Sequence, residues 1–313
     1  MKVKIKASGE GGFALLSVLV IIAIITPLVV NQSYKTGVQL TGSGYLADKI
    51  KSREIAKSGL EAAILALKKD DKDYDSYLDE WGQFVELSGL SSTFFEEGSF
   101  SGTIIDEEGK LNINLLAPNN EKSDQLTLLF DELQIDTDIL AGVMDWIDND
   151  SDATLMGAED HYYKSLENRY NCKDGLMDNI YELRLIKGMT DEAFLGKGEA
   201  KGLTDFISVY GDKSVNINTA PYEVILSLSE DITPVLAREI IAYRETGPIK
   251  SVPEIKDIID DDDLYDGLKS KIKVNSRFFS IRVRGMVKDI YTDLHAFIER
   301  NGDNITMLYY GEA

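Results

Sequence analysis

Between Asp145 and Asp160 the chain concentrates six carboxylates: Asp145, Asp148, Asp150, Asp152, Glu159 and Asp160. Asp148, Asp150, Asp152 and Glu159 fall at positions 1, 3, 5 and 12 of a twelve-residue window, the carboxylate spacing of an EF-hand loop. Alternate acids on a tight turn aim their oxygens inward, and a terminal Glu closes the shell with both of its oxygens. That donor set suits a hard cation taking about six to eight oxygen ligands, and calcium is the natural occupant. Leu155 at position 8 is apolar, as such loops prefer, but position 6 holds Ala153 where the sharp turn calls for Gly. The loop therefore need not wrap as an EF-hand does, and the flanking Asp145 and Asp160 could serve a neighbouring site. Carboxylates this dense repel one another unless a cation neutralises them, so calcium is expected to stabilise this part of the chain.

Other reactive chemistry is sparse. The chain has two histidines, His161 and His295, and one cysteine, Cys172, so no intramolecular disulfide can form and no His-rich metal signature is present. The other acid runs are weaker: Asp260 to Asp263 reads as a solvated loop, and the run Asp71, Asp73, Asp75 has Gly82 where a closing Glu would stand. Leu228 to Ile240, followed by Gly247-Pro248 and Val252-Pro253-Glu254, resembles a helix-hairpin-helix of DNA-binding proteins. Such hairpins present glycine amides to a phosphate, yet those positions hold Asp231 and Thr233, with Glu230 adjacent. An aspartate there repels the ligand, and a formal net charge of −21 disfavours nucleic acid altogether. Leu228, Ile232, Leu236, Ala237 and Ile240 are therefore expected to pack as scaffold, with no nucleic-acid partner.

The elements that must position these residues are legible in outline. With 313 residues, 43% of them hydrophobic, the chain can build one small domain with a second inserted into it. A basic leader with Lys2, Lys4 and Lys6 ends in Gly11-Gly12, and an unbroken apolar run from Phe13 to Val30 follows, just long enough to span a bilayer. A secretory signal would be cut after its apolar segment; here the glycine pair before it predicts a cut after Gly12. Pro27 is expected to kink the helix. Leu46, Ile50, Leu60, Ile64 and Leu67, with Ala56 and Ala63, continue one helical face to about Lys69, and Gly37, Gly42 and Gly44 mark its weak point.

Alternation predicts strands at Ser99 to Asp106, Leu111 to Leu115, Phe279 to Gly285, Ile290 to Ile298 and Ile305 to Tyr310. Helical periodicity falls between them, at Leu126 to Leu133, Ile139 to Ile147, Tyr181 to Ile186, Glu223 to Leu228 and Pro234 to Arg244. Asn112-Ile113-Asn114 with Pro118 recurs as Asn216-Ile217-Asn218 with Pro221, a weak internal repeat.

The N-terminal arrangement resembles the class III signal of type IV pilins and type II secretion pseudopilins. That resemblance implies that a prepilin peptidase cuts after Gly12 and that the new terminal Phe13 is methylated. Most of that family carry Glu at the fifth mature position, where this chain has Ser17. A carboxylate there resembles a docking group for a neighbour's terminal amine, and its loss is a trait of the minor pseudopilin K family. Lys110-Leu111-Asn112-Ile113-Asn114, Asp145-Trp146-Ile147-Asp148, Gly157-Ala158-Glu159-Asp160 with Tyr162-Tyr163, and Glu182-Leu183-Arg184 before Lys187-Gly188 resemble that family as an ordered set.

The family resemblance implies an α+β, pilin-like fold: a long N-terminal transmembrane helix packed on an antiparallel sheet, with a large inserted α-helical domain. The expected divisions are a leader at 1–12, the helix at 13–70 (membrane span 13–30), strands in 71–117, the insert at 118–272 and C-terminal strands in 273–313. It also implies calcium in the acidic loop, a structural and non-enzymatic role in protein export, and a single-pass inner-membrane location with a periplasmic domain. Minor pseudopilins I and J would form a tip complex with it, with H and the major pseudopilin below. Two rival functions are a competence-type pseudopilin binding DNA through the hairpin and a membrane-anchored calcium-dependent hydrolase.

Overall fold

The structure is a computed structural model that describes residues 10–70, 73–116 and 121–312. The leader lysines, Asp71 and Pro118 lie outside the described residues. Helix α1 (Glu10–Lys69) runs without a break through Pro27 and through Gly37, Gly42 and Gly44. The three glycines do not interrupt it, although each has open space where a side chain would be. From Phe13 onward it is long and apolar enough to cross a membrane, with a mean hydropathy of 3.0 in its most apolar window.

The C-terminal half of α1 lies on a sheet. Strand β1 (Ser99–Asp106) follows the short helix α2 (Phe84–Gly89), and three strands, described below, return at the other end of the chain. Ala56, Leu60, Ala63 and Leu67 of α1 pack with Trp81, Phe84 and the inner face of the sheet into one core. Leu46 and Ile50 do not join it and stay exposed.

The chain then leaves the sheet for a long insert and comes back. The insert contains β2 (Leu111–Asn112), α3 (Glu121–Glu132), α4 (Asp138–Ile147), α5 (Asp160–Tyr163), α6 (Asp191–Leu195), β3 (Gly196–Lys197), β4 (Ala200–Lys201) and β5 (Ile207–Ser208). Its second half holds β6 (Val215–Asn216), α7 (Tyr222–Ser227), α8 (Pro234–Thr246), α9 (Asp262–Leu268) and β7 (Ile272–Lys273). Strands β8 (Phe278–Val287), β9 (Ile290–Asn301) and β10 (Asn304–Glu312) complete the sheet in the order β1-β8-β9-β10, antiparallel throughout. Phe279, Ile281 and Val283 alternate with Ser280, Arg282 and Arg284, so one face meets α1 and the other turns toward the insert. Gly285 is where α1 comes closest, since a Cβ there would collide with the backbone of Ser52 and Ala56.

Two local expectations are corrected. Leu111 to Leu115 is a strand only over Leu111–Asn112; the chain then turns into a 3-10 helix at Ile113–Leu115, because the Asn112 side chain accepts the Asn114 amide at 2.9 Å. Tyr181 to Ile186 is likewise a 3-10 helix, Ile180–Leu185, begun by a capping box between Asn179 and Glu182.

The Asn-Ile-Asn repeat makes matching contacts in both copies. Each first Asn accepts the amide of the third residue, and each strand pairs in parallel with a later one, β2 with β5 and β6 with β7. Each third Asn grips a distant backbone segment through both ends of its amide, Asn114 at Met177 and Asn218 at Ile249. The helices that follow, α3 and α7, pack together. Leu228, Ile232, Ala237 and Ile240 are buried in the insert's core, while Glu230 and Asp231 are exposed and Thr233 caps α8.

Candidate metal centre

The acidic loop joins the C-terminal end of α4 to the start of α5. Asp145 sits in the last turn of α4 and Asp148 is its C-cap, where unsatisfied carbonyls give the helix end a partial negative charge that favours a cation. Apolar residues fix this helix: Ile139, Leu140, Val143, Trp146 and Ile147 are buried, and Trp146 packs edge-on against Tyr163 at 5.3 Å between centroids. Asp145 is carried inward with them to 0% exposure, where the Thr154 amide donates to its carboxylate at 3.1 Å. A Cβ at Gly157 would overlap that carboxylate, so the loop can fold over Asp145 only with glycine there.

Glu159, the residue before α5, is 5% exposed, and its Oε1 is buried with no hydrogen-bond partner. Carboxylate oxygens of Asp145, Asp148 and Glu159 lie within 4.8 Å of one another, a separation that an ion about 2.3–2.6 Å from each oxygen can bridge. Burial pushes the Glu159 carboxyl up to about 7, with repulsion from Asp145 and Asp148 adding to it. The Asp148 carboxyl is also raised, by burial first and then by Asp150 and Asp145.

The other predicted ligands are not brought in. Asp150 and Asp152 are exposed, and the Asp150 carboxylate accepts the Asp152 amide at 2.8 Å. Asp160 faces a short ion pair with Lys164 and accepts the Cys172 amide at 2.9 Å. Leu155 is 97% exposed instead of packing inward, so the loop does not wrap as an EF-hand. Without Gly at position 6, and with Asp145 pinned by the α4 core, the chain folds over a carboxylate that precedes the twelve-residue window.

Asp174 is the neighbour that spacing misses. One of its oxygens, Glu159 and the Cys172 sulfur also lie within 4.8 Å of one another, with Asp174 at φ +51°. The only signal for it in the sequence is Asp174-Gly175, a turn-forming pair. The Cys172 thiol donates to the Asp145 carbonyl at 3.4 Å, and burial pushes its pKa up to about 12, which keeps it a thiol. A protonated thiol is a poor ligand, so the donor set is hard oxygen and fits calcium better than zinc.

At the other end of the molecule, Phe13 is 73% exposed at the start of the apolar run, while Gly12 lies in the first turns of α1. The Ser17 hydroxyl donates to the Phe13 carbonyl at 3.0 Å, so its polar group is satisfied within the helix.

Comparison with known proteins agrees with this architecture. Two models, both described as type II secretion system protein K, match residues 109–196 and 215–274. The type II secretion system protein K of Klebsiella pneumoniae is 25% identical over 258 residues, covering 75% of each chain. That of Aeromonas hydrophila is 23% identical over 94% of each. A chain of the GspK-GspI-GspJ complex from the type 2 secretion system of enterotoxigenic Escherichia coli has the same fold, with a TM-score of 0.65 and 19% identity. That match covers 89% of this chain and 99% of the other. The matched models, the relatives and the helix-sheet-insert architecture agree: over most of its length the chain is similar to type II secretion system protein K.

Proposed function

We propose that this protein acts at the tip of a type II secretion pseudopilus, as a structural subunit without catalytic activity, and that it helps to start pseudopilus assembly. It would be held in the bacterial inner membrane by α1, with the sheet and insert in the periplasm. Pseudopilins I and J would assemble beside it, as their counterparts do in the GspK-GspI-GspJ complex, with H and the major pseudopilin below. The observation that carries this reading is the insert, which departs from the sheet after β1 and returns only at β8. A subunit this wide does not stack repeatedly in a thin filament, so it belongs at an end.

Ser17 supports the same placement. A carboxylate without a partner in the bilayer costs roughly 2.5–3.5 kcal/mol, whereas a hydroxyl bonded to its own helix needs no amine from a subunit above. Calcium held by Asp145, Asp148 and Glu159 would cross-link the end of α4 to the start of α5 and hold the insert in shape.

The test is intact mass of the full-length protein recovered from bacterial membranes with and without prepilin peptidase, followed by capture of co-expressed I and J. Loss of residues 1–12, a methyl group on Phe13 and recovery of both partners are expected. An intact leader beside an active peptidase, or failure to retain I and J, would refute the proposal.

A further inference from the structure

The face of the sheet turned away from α1 is roofed by the insert, and two adjoining cavities of about 500 and 560 Å3 lie along it. Arg282, His295 and Tyr181 line both, so the cavities meet at these residues. Aromatic rings wall the larger one: Tyr210 and Phe297 have centroids 5.0 Å apart, and Phe297 and Tyr309 6.2 Å. Each chamber falls in the about 300–1,000 Å3 range of ligand pockets, and two joined chambers suit a short linear chain.

Two cations of the lining have no carboxylate partner among the described residues: Lys201, whose ammonium lies 5.5 Å from the centre of the Phe206 ring, and Arg282. Glu107 accepts from the Ser280 hydroxyl, Asp178 is paired with Lys173, Asp293 with Arg284, and Asp205 accepts the Gly202 amide. Arg282, opposite His295 in the β8–β9 register, has no carboxylate or carbonyl on its guanidinium among the described residues. Beside it, His295 Nε2 is buried with no hydrogen-bond partner. Burial, Arg282 and Lys110 all hold the imidazole neutral, with Glu107 acting in the opposite direction.

We propose that this cleft binds a peptide segment of another protein, one that places a carboxylate on Arg282 and a neighbouring aromatic or aliphatic side chain against Tyr210, Phe297 and Tyr309. An arginine fork free of internal partners is matched to a carboxylate, and the adjacent rings supply apolar area for the side chain beside it. The protein's net charge of −21 opposes an acidic ligand only at long range, where salt screens it beyond about 8–10 Å. The cleft shares no lining residue with the converging carboxylates of the acidic loop.

The experiment uses the full-length chain in detergent micelles with its two histidines isotopically labelled. The probes are N-acetyl-Asp-Phe-amide and its uncharged counterpart N-acetyl-Asn-Phe-amide. The acidic probe is expected to bind about tenfold more tightly, to shift the His295 resonance, to raise its titration midpoint and to leave His161 unmoved. Arg282→Ala should abolish that preference. Arg169→Ala, at another exposed arginine, should keep it, and the histidine spectra of the free variants report that they are folded. Equal affinity for the two probes, no binding of either, a stationary His295 at saturation, or an unchanged preference in Arg282→Ala would overturn the proposal.

Discussion

Two clusters of buried carboxylates lie in this molecule, and they are resolved in opposite ways. At the junction of sheet and insert, Asp75 and Asp106 are 0% and 1% exposed, yet their oxygens are taken. Arg300 holds both Asp75 oxygens at 2.5 and 2.6 Å, and the Ser276 amide donates to Asp75 at 2.7 Å. Asp106 accepts from Asn216, Thr219 and Ser276 at 2.8, 2.7 and 2.6 Å, and from the Glu108 amide at 2.8 Å. In the acidic loop, by contrast, Asp145, Asp148 and Glu159 converge with no ion pair to a protein cation among the described residues, and Glu159 Oε1 has no hydrogen-bond partner among them. Burial of acid does not by itself mark a metal site. What makes the acidic loop a candidate is the convergence of oxygens whose donors the fold has not supplied.

The largest expected effect comes from opening the closed cluster. Arg300→Met leaves buried carboxylates without their cation and should cost about 3–5 kcal/mol in chemical denaturation. Added calcium should not recover it, because Asp75 and Asp106 are arranged around side-chain donors. A cost below about 1 kcal/mol, or rescue by calcium, would erase the distinction between the clusters.

Removing the proposed calcium from the open cluster comes next. Calcium at a hundredfold excess over its Kd contributes about 2.7 kcal/mol, so EDTA should lower the melting temperature of the wild type. The double variant Asp148→Asn with Glu159→Gln should no longer respond. An unchanged melting temperature with EDTA would sink the calcium reading.

The third prediction concerns pH. Burial outweighs Arg300 and pushes the Asp75 carboxyl from 3.8 up to about 7. The folded state then keeps a proton that the unfolded chain has released. This contribution to stability is complete below about 4 and is lost as pH rises to about 7, with a slope of at most about 1.4 kcal/mol per pH unit. Burial raises Asp106 in the same direction. Denaturation midpoints measured from pH 4 to 8 should show the slope, and Asp75→Asn should flatten it; an unaltered slope would assign the titration elsewhere. The smallest effects belong to Asp150→Asn and Asp152→Asn, expected within about 0.5 kcal/mol and weaker on calcium affinity than Asp148→Asn. Loss of binding in Asp150→Asn would mean that the loop closes as an EF-hand after all.

The acidic loop shows how far spacing carries. The 1-3-5-12 pattern pointed to the stretch where carboxylates converge and to two of them, Asp148 and Glu159. It placed Asp150 and Asp152 in the shell because it assumed that the loop wraps from position 1. The fold instead anchors the site on Asp145, whose inward direction is set by the apolar face of α4, and closes it over Gly157. Asp174 reaches Glu159 from a separate turn, a proximity that no local spacing encodes. In the other cluster, the run Asp71, Asp73, Asp75 offered no sign that Asp75 would meet Arg300, 225 positions away.

What the sequence determined by itself was whatever depends on near neighbours along the chain. The apolar run and continuing helical face end at about Lys69 in the sequence and at Lys69 in α1, and alternation, loose in β1, placed β1, β8, β9 and β10, since helical and strand periods are properties of successive residues. Tertiary structure alone decided which polar groups meet. Asp75 meets Arg300 because the chain returns to β9 after the insert, and Asp106 at the end of β1 meets Asn216 of β6 inside the insert. Those pairings follow from how two cores pack against each other, and a side chain's partner across such a junction is fixed by the burial of both cores and not by its own neighbours in sequence.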